Sequence, residues 1–220
     1  MDTGFKALRE KVVVCRRCPR LVHFRENVVI RTPCTDPWRR PVPGFGDEKA
    51  KLLIVGLAPS VEGGNRTGRI FTGDASAVFL FRALYEAGFS NQSVSQDRED
   101  GLILHGCYIT ASVKCVPPKH HPTPEEFFRC SSYLENEFFL LKQVRAVLAL
   151  GKMAFDSYQR FLFKQGVVTK KVPFSHGCSH LYPGWPTLYG SFHPSPQNTN
   201  TGKLTLHTMV QLLKQIQKLL

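Results

Sequence analysis

The chain of 220 residues is short of acid: 17 Asp and Glu stand against 29 Lys and Arg, a formal net charge of +12. A basic surplus of that size calls for a polyanionic partner, and nucleic acid is the commonest one. Long apolar runs are missing too. Nothing approaches the ~20 residues of a spanning helix, so no membrane partner is expected. The N-terminal stretch, Met1 to Val14, mixes charges with apolar positions at helical spacing and lacks the pattern of a signal peptide, which leaves the cytoplasm as the default compartment. Internal repeats are absent. No G-x-G-x-x-G follows the first apolar run, which weakens a dinucleotide-binding electron carrier. With 42% hydrophobic residues the chain is too apolar for disorder, and its length suits a single domain over residues 1–220.

What is present alternates strand and helix. Apolar strands are expected at Lys51 to Leu57, Cys107 to Val113, Arg145 to Leu150 and Thr187 to Phe192. Between and after them fall helices at Asp74 to Ala87 with Gly88 behind it, from Thr123 towards Leu141, at Lys152 to Phe163, and near Lys203 to Leu219. Thr123-Pro124-Glu125-Glu126 reads as a capping box with Pro at the first helical position. Strands separated by helices imply an α/β, three-layer fold: a central parallel four-stranded sheet flanked by helices. In such folds the site lies beyond the C-terminal strand ends, here Ala58 to Gly73, Lys114 to Thr123 and His193 to Thr201. Arg31 to Asp47, rich in Pro and Arg, reads as an ordered loop.

Seven cysteines cannot all pair, and in a cytosolic chain they point to metal or reactive thiols. Cys15-Arg-Arg-Cys18 can grip one centre from a single turn. Cys115 and Cys130, with fourteen residues between them, bring a strand end and a helix to the same place. Four converging thiolates serve zinc or an iron–sulfur cluster; the long second spacing fits a cubane better than zinc's usual two tight pairs. Cys34, Cys107 and Cys178 are spares, with Cys107 in the core.

Further motifs stand in order along the chain. They are Cys15-Arg-Arg-Cys18-Pro19-Arg20-Leu21, Pro41 to Gly46 (PVPGFG), Gly56-Leu57-Ala58-Pro59, Asn65 to Arg69 (NRTGR), Phe71 to Ser76 (FTGDAS), Lys114 to Pro118 (KCVPP), Ala149-Leu150-Gly151 and His193 to Thr199 (HPSPQNT). In this the chain resembles the thermophile-type uracil-DNA glycosylases that carry a 4Fe–4S cluster, and within them the B-type, or family 5. The resemblance covers nearly the whole chain. It implies the uracil-DNA glycosylase fold, base flipping, and a 4Fe–4S cluster held by Cys15, Cys18, Cys115 and Cys130. The expected substrate is double-stranded and single-stranded DNA containing deaminated bases, and a monomer is expected. A-type relatives carry Glu and Asn where this chain has Leu57 and Ala111. Two positions depart from the pattern: Ser60 stands for the usual Gly, and His120 stands where an Asn is common.

Breaking an N-glycosidic bond builds positive charge on the sugar and negative charge on the departing base, so the site needs an anion for one and donors for the other. Asp74 is the candidate anion, although Asp at a helix start is also an ideal N-cap. His193 is the candidate donor to the leaving base, or a loop histidine bonded to backbone. The substrate contacts fall on Gly56, Leu57, Ala58, Phe71, His120 and Asn198: amides for the base, Phe71 to stack on it or to pack in the core. Pro194 to Thr199 is the candidate wedge into the duplex, or a rigid turn. Arg66, Arg69, Lys114 and Lys119 are candidate phosphate contacts. His120, His121, His176 and His180 are scattered and are not read as a second metal site. No lysine is singled out for Schiff-base chemistry, so the expected reaction is hydrolysis alone. The rival is a non-catalytic zinc-containing nucleic-acid-binding module, which explains charge and cysteines but not Gly56 to Pro59 or the His193 loop.

Overall fold

Short runs of Val, Ile, Leu and Ala form the middle of one sheet, because a strand covered on both faces has no solvent side for polar residues. The computed structural model describes residues 3–220; Met1 and Asp2, where the N-terminal helical pattern begins, lie outside the described residues. In chain order the elements are α1 (Thr3–Val13), α2 (Pro19–Asn27), β1 (Phe45–Gly46), β2 (Leu52–Gly56), α3 (Gly64–Thr67), α4 (Ala75–Glu86), β3 (Cys107–Ala111), a 3-10 turn (Pro118–His120), α5 (Pro124–Leu140), β4 (Ala146–Leu150), α6 (Lys152–Lys164), β5 (Ser179–Tyr182), β6 (Trp185–Ser191), α7 (Pro196–Thr199) and α8 (Leu206–Gln217).

The sheet runs β1-β3-β2-β4-β6-β5. Its centre, β3-β2-β4-β6, is parallel. The expected four strands are therefore all there, but the sheet has six. The edge strands β1 and β5 pair antiparallel with β3 and β6. β1 is two residues long, too short to leave a periodic signal. β5 is a mostly exposed edge joined to β6 by a Pro183-Gly184 turn, so it lacks the apolar run that marks a central strand.

Alternation along β2 sends side chains to two cores. Leu52 and Ile54 face Leu80, Phe81 and Leu84 of α4 and Met209, Leu213 and Ile216 of α8. Leu53 and Val55 face Phe155, Tyr158 and Leu162 of α6, with Phe5 of α1 and Leu134 of α5. The result is three layers, as expected. All of the side chains named here are buried, and truncating one such as Leu53 to Ala costs about 2–5 kcal/mol. The capping box of α5 is formed: Thr123 accepts from Glu126 N, and Glu126 returns the bond. Among the described residues no helix is long and apolar enough to cross a membrane.

Candidate active site

The parallel strands point their C-terminal ends at one place, and the loops leaving β2, β3 and β6 meet there in a cleft of about 600 Å³. Leu57, Ala58, Ser60, Phe71, Asp74, His120, His193 and Asn198 all line it. Residues up to 141 positions apart in the chain, from Leu57 to Asn198, thus share one cavity. Gly56 does not line it. It lies at the end of β2 under the Phe71 ring, so close that a Cβ there would sit 2.8 Å from the ring.

Asp74 is the N-cap of α4, as its position suggested. Its Oδ1 accepts from Ala77 N at 2.9 Å. The second oxygen, Oδ2, accepts from the hydroxyl of Ser60, and Ser60 Oγ in turn accepts from Gly63 N at 2.9 Å. Both carboxylate oxygens are therefore held, while the group still faces the cleft. Capping and chemistry are compatible here, because the helix start fixes where the carboxylate points.

His193 follows β6. Burial lowers its pKa; Asp74 opposes that shift and His120 adds to it. The balance is a neutral imidazole, which keeps one N–H to donate. The Phe71 ring stands 5.9 Å from the imidazole, centroid to centroid. Phe71 belongs to the core and to the cleft wall at once. Its φ of +50° places a non-glycine residue in the left-handed region, a conformation that costs of order 1–3 kcal/mol and survives only where the surroundings enforce it. Lys119 and His120, at φ +53° and +58°, share that conformation at the exposed lip.

Asn198 lines the cleft, but its Nδ2 donates to His193 O at 2.8 Å and so braces the loop. Ser60 and Glu62 also line the cleft and had been given no role. Ser60 was visible only as a departure from the family pattern. Glu62 accepts from the amides of Arg31 and Thr32 at 2.8 and 3.0 Å, which ties the Pro- and Arg-rich loop to the cleft lip; no sequence signal marks it.

Two of the four cations expected to hold phosphates do not face solvent. Lys114 is buried, with Nζ 2.7 Å from Glu137 Oε2. Arg69 is buried against Asp100 at 2.6 Å and bonds Thr72 and Ser95. Both side chains turn inward to a carboxylate, Glu137 for Lys114 and Asp100 for Arg69, and not out to solvent. Arg66 donates to the carbonyls of Glu62 and Gly73 and shapes its own loop. Lys119 is exposed at the cleft lip.

Cys15, Cys18, Cys115 and Cys130 line one small pocket, together with Arg25 and Tyr133. Cys18 caps α2, Cys115 lies past β3, and Cys130 is in α5. All four are free thiols. Burial pushes Cys115 up to about 11 and Cys130 up to about 12, so without a positive centre they stay neutral. Cationic and amide donors already point at sulfur: Lys114 N reaches Cys130 Sγ at 3.3 Å, and Arg25 reaches Cys115 Sγ at 3.5 Å. Among the described residues no three His, Cys, Asp or Glu side chains are grouped as ligands of one metal ion; the four thiols frame a space. Leu57 and Ala58 pack against the cysteine cluster from the cleft side, so the two sites share a wall. Cys107 is in the core, as expected.

Residues 43–217 match the profile of the Uracil DNA glycosylase superfamily. The chain is 45% identical over 217 residues to the type-5 uracil-DNA glycosylase of Thermus thermophilus, covering 97% of each. It is 46% identical over 206 residues to the type-5 uracil-DNA glycosylase of Pyrobaculum aerophilum, covering 93% of this chain and 88% of that one. A type-4 uracil-DNA glycosylase of Archaeoglobus fulgidus is 32% identical over 114 residues, 51% of this chain and 49% of that one. The likeness thus runs further along the type-5 proteins, in line with the B-type reading.

Proposed function

Since the chain belongs to the uracil-DNA glycosylase superfamily, we propose that it excises uracil from DNA by hydrolysing the N-glycosidic bond, releasing free base and leaving an abasic site. The observation that carries this is the cleft that joins the Asp74 carboxylate to a neutral His193. A flipped base stacks on Phe71, and the uracil carbonyl takes the His193 N–H and the amides of Leu57 and Ala58. As the bond stretches, Asp74 faces the positive sugar and orients the attacking water, while His193 supports the negative base. Pro194 to Thr199 fills the gap in the duplex. Exposed cations such as Lys119 hold the backbone. The chain acts as one domain, as a monomer in the cytoplasm, on double-stranded and single-stranded DNA. With Leu57 in the cleft wall and Ala111 buried at the end of β3, both apolar, the site is permissive enough for hypoxanthine or xanthine.

Cys15, Cys18, Cys115 and Cys130 hold a 4Fe–4S cluster in this reading. The donor set fits it: the four thiols line one small pocket, and Arg25 and the Lys114 amide already donate to two of the sulfurs. When bound, the cluster supplies a cross-link among the N-terminal helices, the end of β3 and α5, with no redox role in hydrolysis. A zinc-containing binding module has no use for the Asp74–His193 cleft.

The test is a labelled oligonucleotide with one uracil, incubated with iron-replete protein and then cleaved with alkali. Strand scission that depends on the uracil, with free uracil in the supernatant, is expected. Uncut strand at enzyme excess overturns the reading.

A further inference from the structure

The reading of Asp74 as the sugar-facing anion leaves open how its carboxylate is kept in one orientation. Resting on that reading, we infer that Ser60 is a positioning residue for Asp74, locking the plane of the carboxylate through a hydroxyl bond anchored on the backbone of Gly63. A helix cap needs only one oxygen, and Oδ1 supplies it to Ala77 N. With that bond alone the carboxylate can swing about its terminal torsion, which is broad and soft. Ser60 Oγ donates to the other oxygen and is itself fixed by Gly63 N at 2.9 Å. The Ser60 carbonyl is also held, accepting from Asn65 N at 3.0 Å. Each oxygen then keeps one lone-pair direction free, and both residues line the cleft. Gly63 lies against the pair so closely that a Cβ there would overlap Asp74 Oδ2 and Ser60 Oγ. Packing and hydrogen bonding therefore fix the same orientation.

Four variants test this: Ser60→Ala, Ser60→Thr, Asp74→Asn and the Ser60→Ala/Asp74→Asn pair. Each is measured for single-turnover uracil release at saturating enzyme, for affinity to a duplex with a non-hydrolysable abasic analogue, and for thermal melting. Ser60→Ala is expected to slow release about tenfold with affinity within about twofold, since misorientation acts on chemistry more than on binding. Ser60→Thr, which keeps the hydroxyl, restores most of the rate. The double variant is no slower than Asp74→Asn alone, because Ser60 acts only through that carboxylate. Should Ser60→Ala be too unstable to assay, Ser60→Cys, with a weak donor of similar size, takes its place with the same expected slowing.

A native rate in Ser60→Ala beside a crippled Asp74→Asn overturns the positioning role and leaves the Asp74 reading standing. A native rate in Asp74→Asn overturns that reading and this inference with it. Slowing that tracks melting and affinity, without rescue by Thr, shows a structural hydroxyl and overturns the inference as well.

Discussion

Asp74→Asn separates the two tasks of one carboxylate. The cap bond from Ala77 N to Oδ1 is 2.9 Å long, and Asn accepts it about as well as Asp. The Ser60 side is perturbed more: a carboxylate oxygen becomes either a neutral carbonyl or an amide that must donate to Ser60 Oγ. Ser60 Oγ already accepts from Gly63 N, and its second lone pair can take that donor. The loss is then one charge-assisted bond replaced by a neutral one, about 1 kcal/mol. For a chain of this length that moves the melting temperature by about 2–4 °C. The rate responds on another scale. Losing an oriented charge aimed at a developing cation is comparable to losing an oxyanion donor, about 10²–10³ in rate or 2.7–4 kcal/mol. Single-turnover release of uracil and a melting curve on the same preparation give both numbers. The argument is refuted by a near-native rate in Asp74→Asn: the carboxylate is then only a cap, and the cation is met elsewhere.

Other measurements bear on separate links. Because burial lowers the His193 pKa, with Asp74 opposing and His120 assisting, the neutral donor persists as pH falls past the ordinary histidine value of ~6.5; single-turnover rates should hold through that value and decline only below it, and a decline that begins above it contradicts the neutral-donor role. The sign for stability is the same: the unfolded chain takes the proton first, so the His193 contribution is full above the unfolded pKa of ~6.5 and is lost as pH falls through the lowered folded value. Lys114→Met leaves Glu137 buried without its partner and should cost about 3–5 kcal/mol in urea unfolding, with the salt dependence of duplex binding unchanged. Lys119→Ala should do the reverse, leaving stability intact and lowering the slope of log affinity against log salt by about 0.9 if it meets one phosphate. Cys130→Ala should lose iron and visible absorbance together and melt at lower temperature, and stoichiometric zinc in anaerobically purified native protein counts against the cluster.

The core strands were legible because burial on both faces demands continuous apolar runs, and Leu52 to Val55 or Ala146 to Leu150 have no other use. The edge strands were not: two residues at Phe45 and Gly46 carry no period, and Ser179 to Tyr182 faces solvent. In the candidate site, types and order were readable, since Asp74 precedes a helix and His193 follows a strand, and parallel topology sends both to the same edge. Which cations face DNA was not. Charge says how many cations there are, and only tertiary packing says that Lys114 and Arg69 are paired inside with Glu137 and Asp100. Ser60 shows the same limit from the other side: the sequence marks it only as a departure from a family pattern, and its bond to Asp74 is visible only in the fold.

The strained residues fall where that limit matters most. Among the described residues four non-glycine positions have left-handed φ, and two of them, Phe71 and His120, line the cleft, with Lys119 beside the latter. A glycine at 71 would relieve the backbone at once, yet it would remove the ring that covers Gly56 and faces His193. Phe71 is held in place because its ring is also part of the core against α4, so burial offsets the conformational cost. Phe71→Leu, which keeps much of the apolar volume but not the aromatic face, therefore distinguishes the two functions of the residue. Release of uracil should slow while melting changes little, since volume-conserving apolar exchanges usually cost under about 1.5 kcal/mol. An unchanged rate in a well-folded Phe71→Leu protein would place the ring in the core alone, and the stacking partner of the base would have to be sought on the His120 side of the cleft.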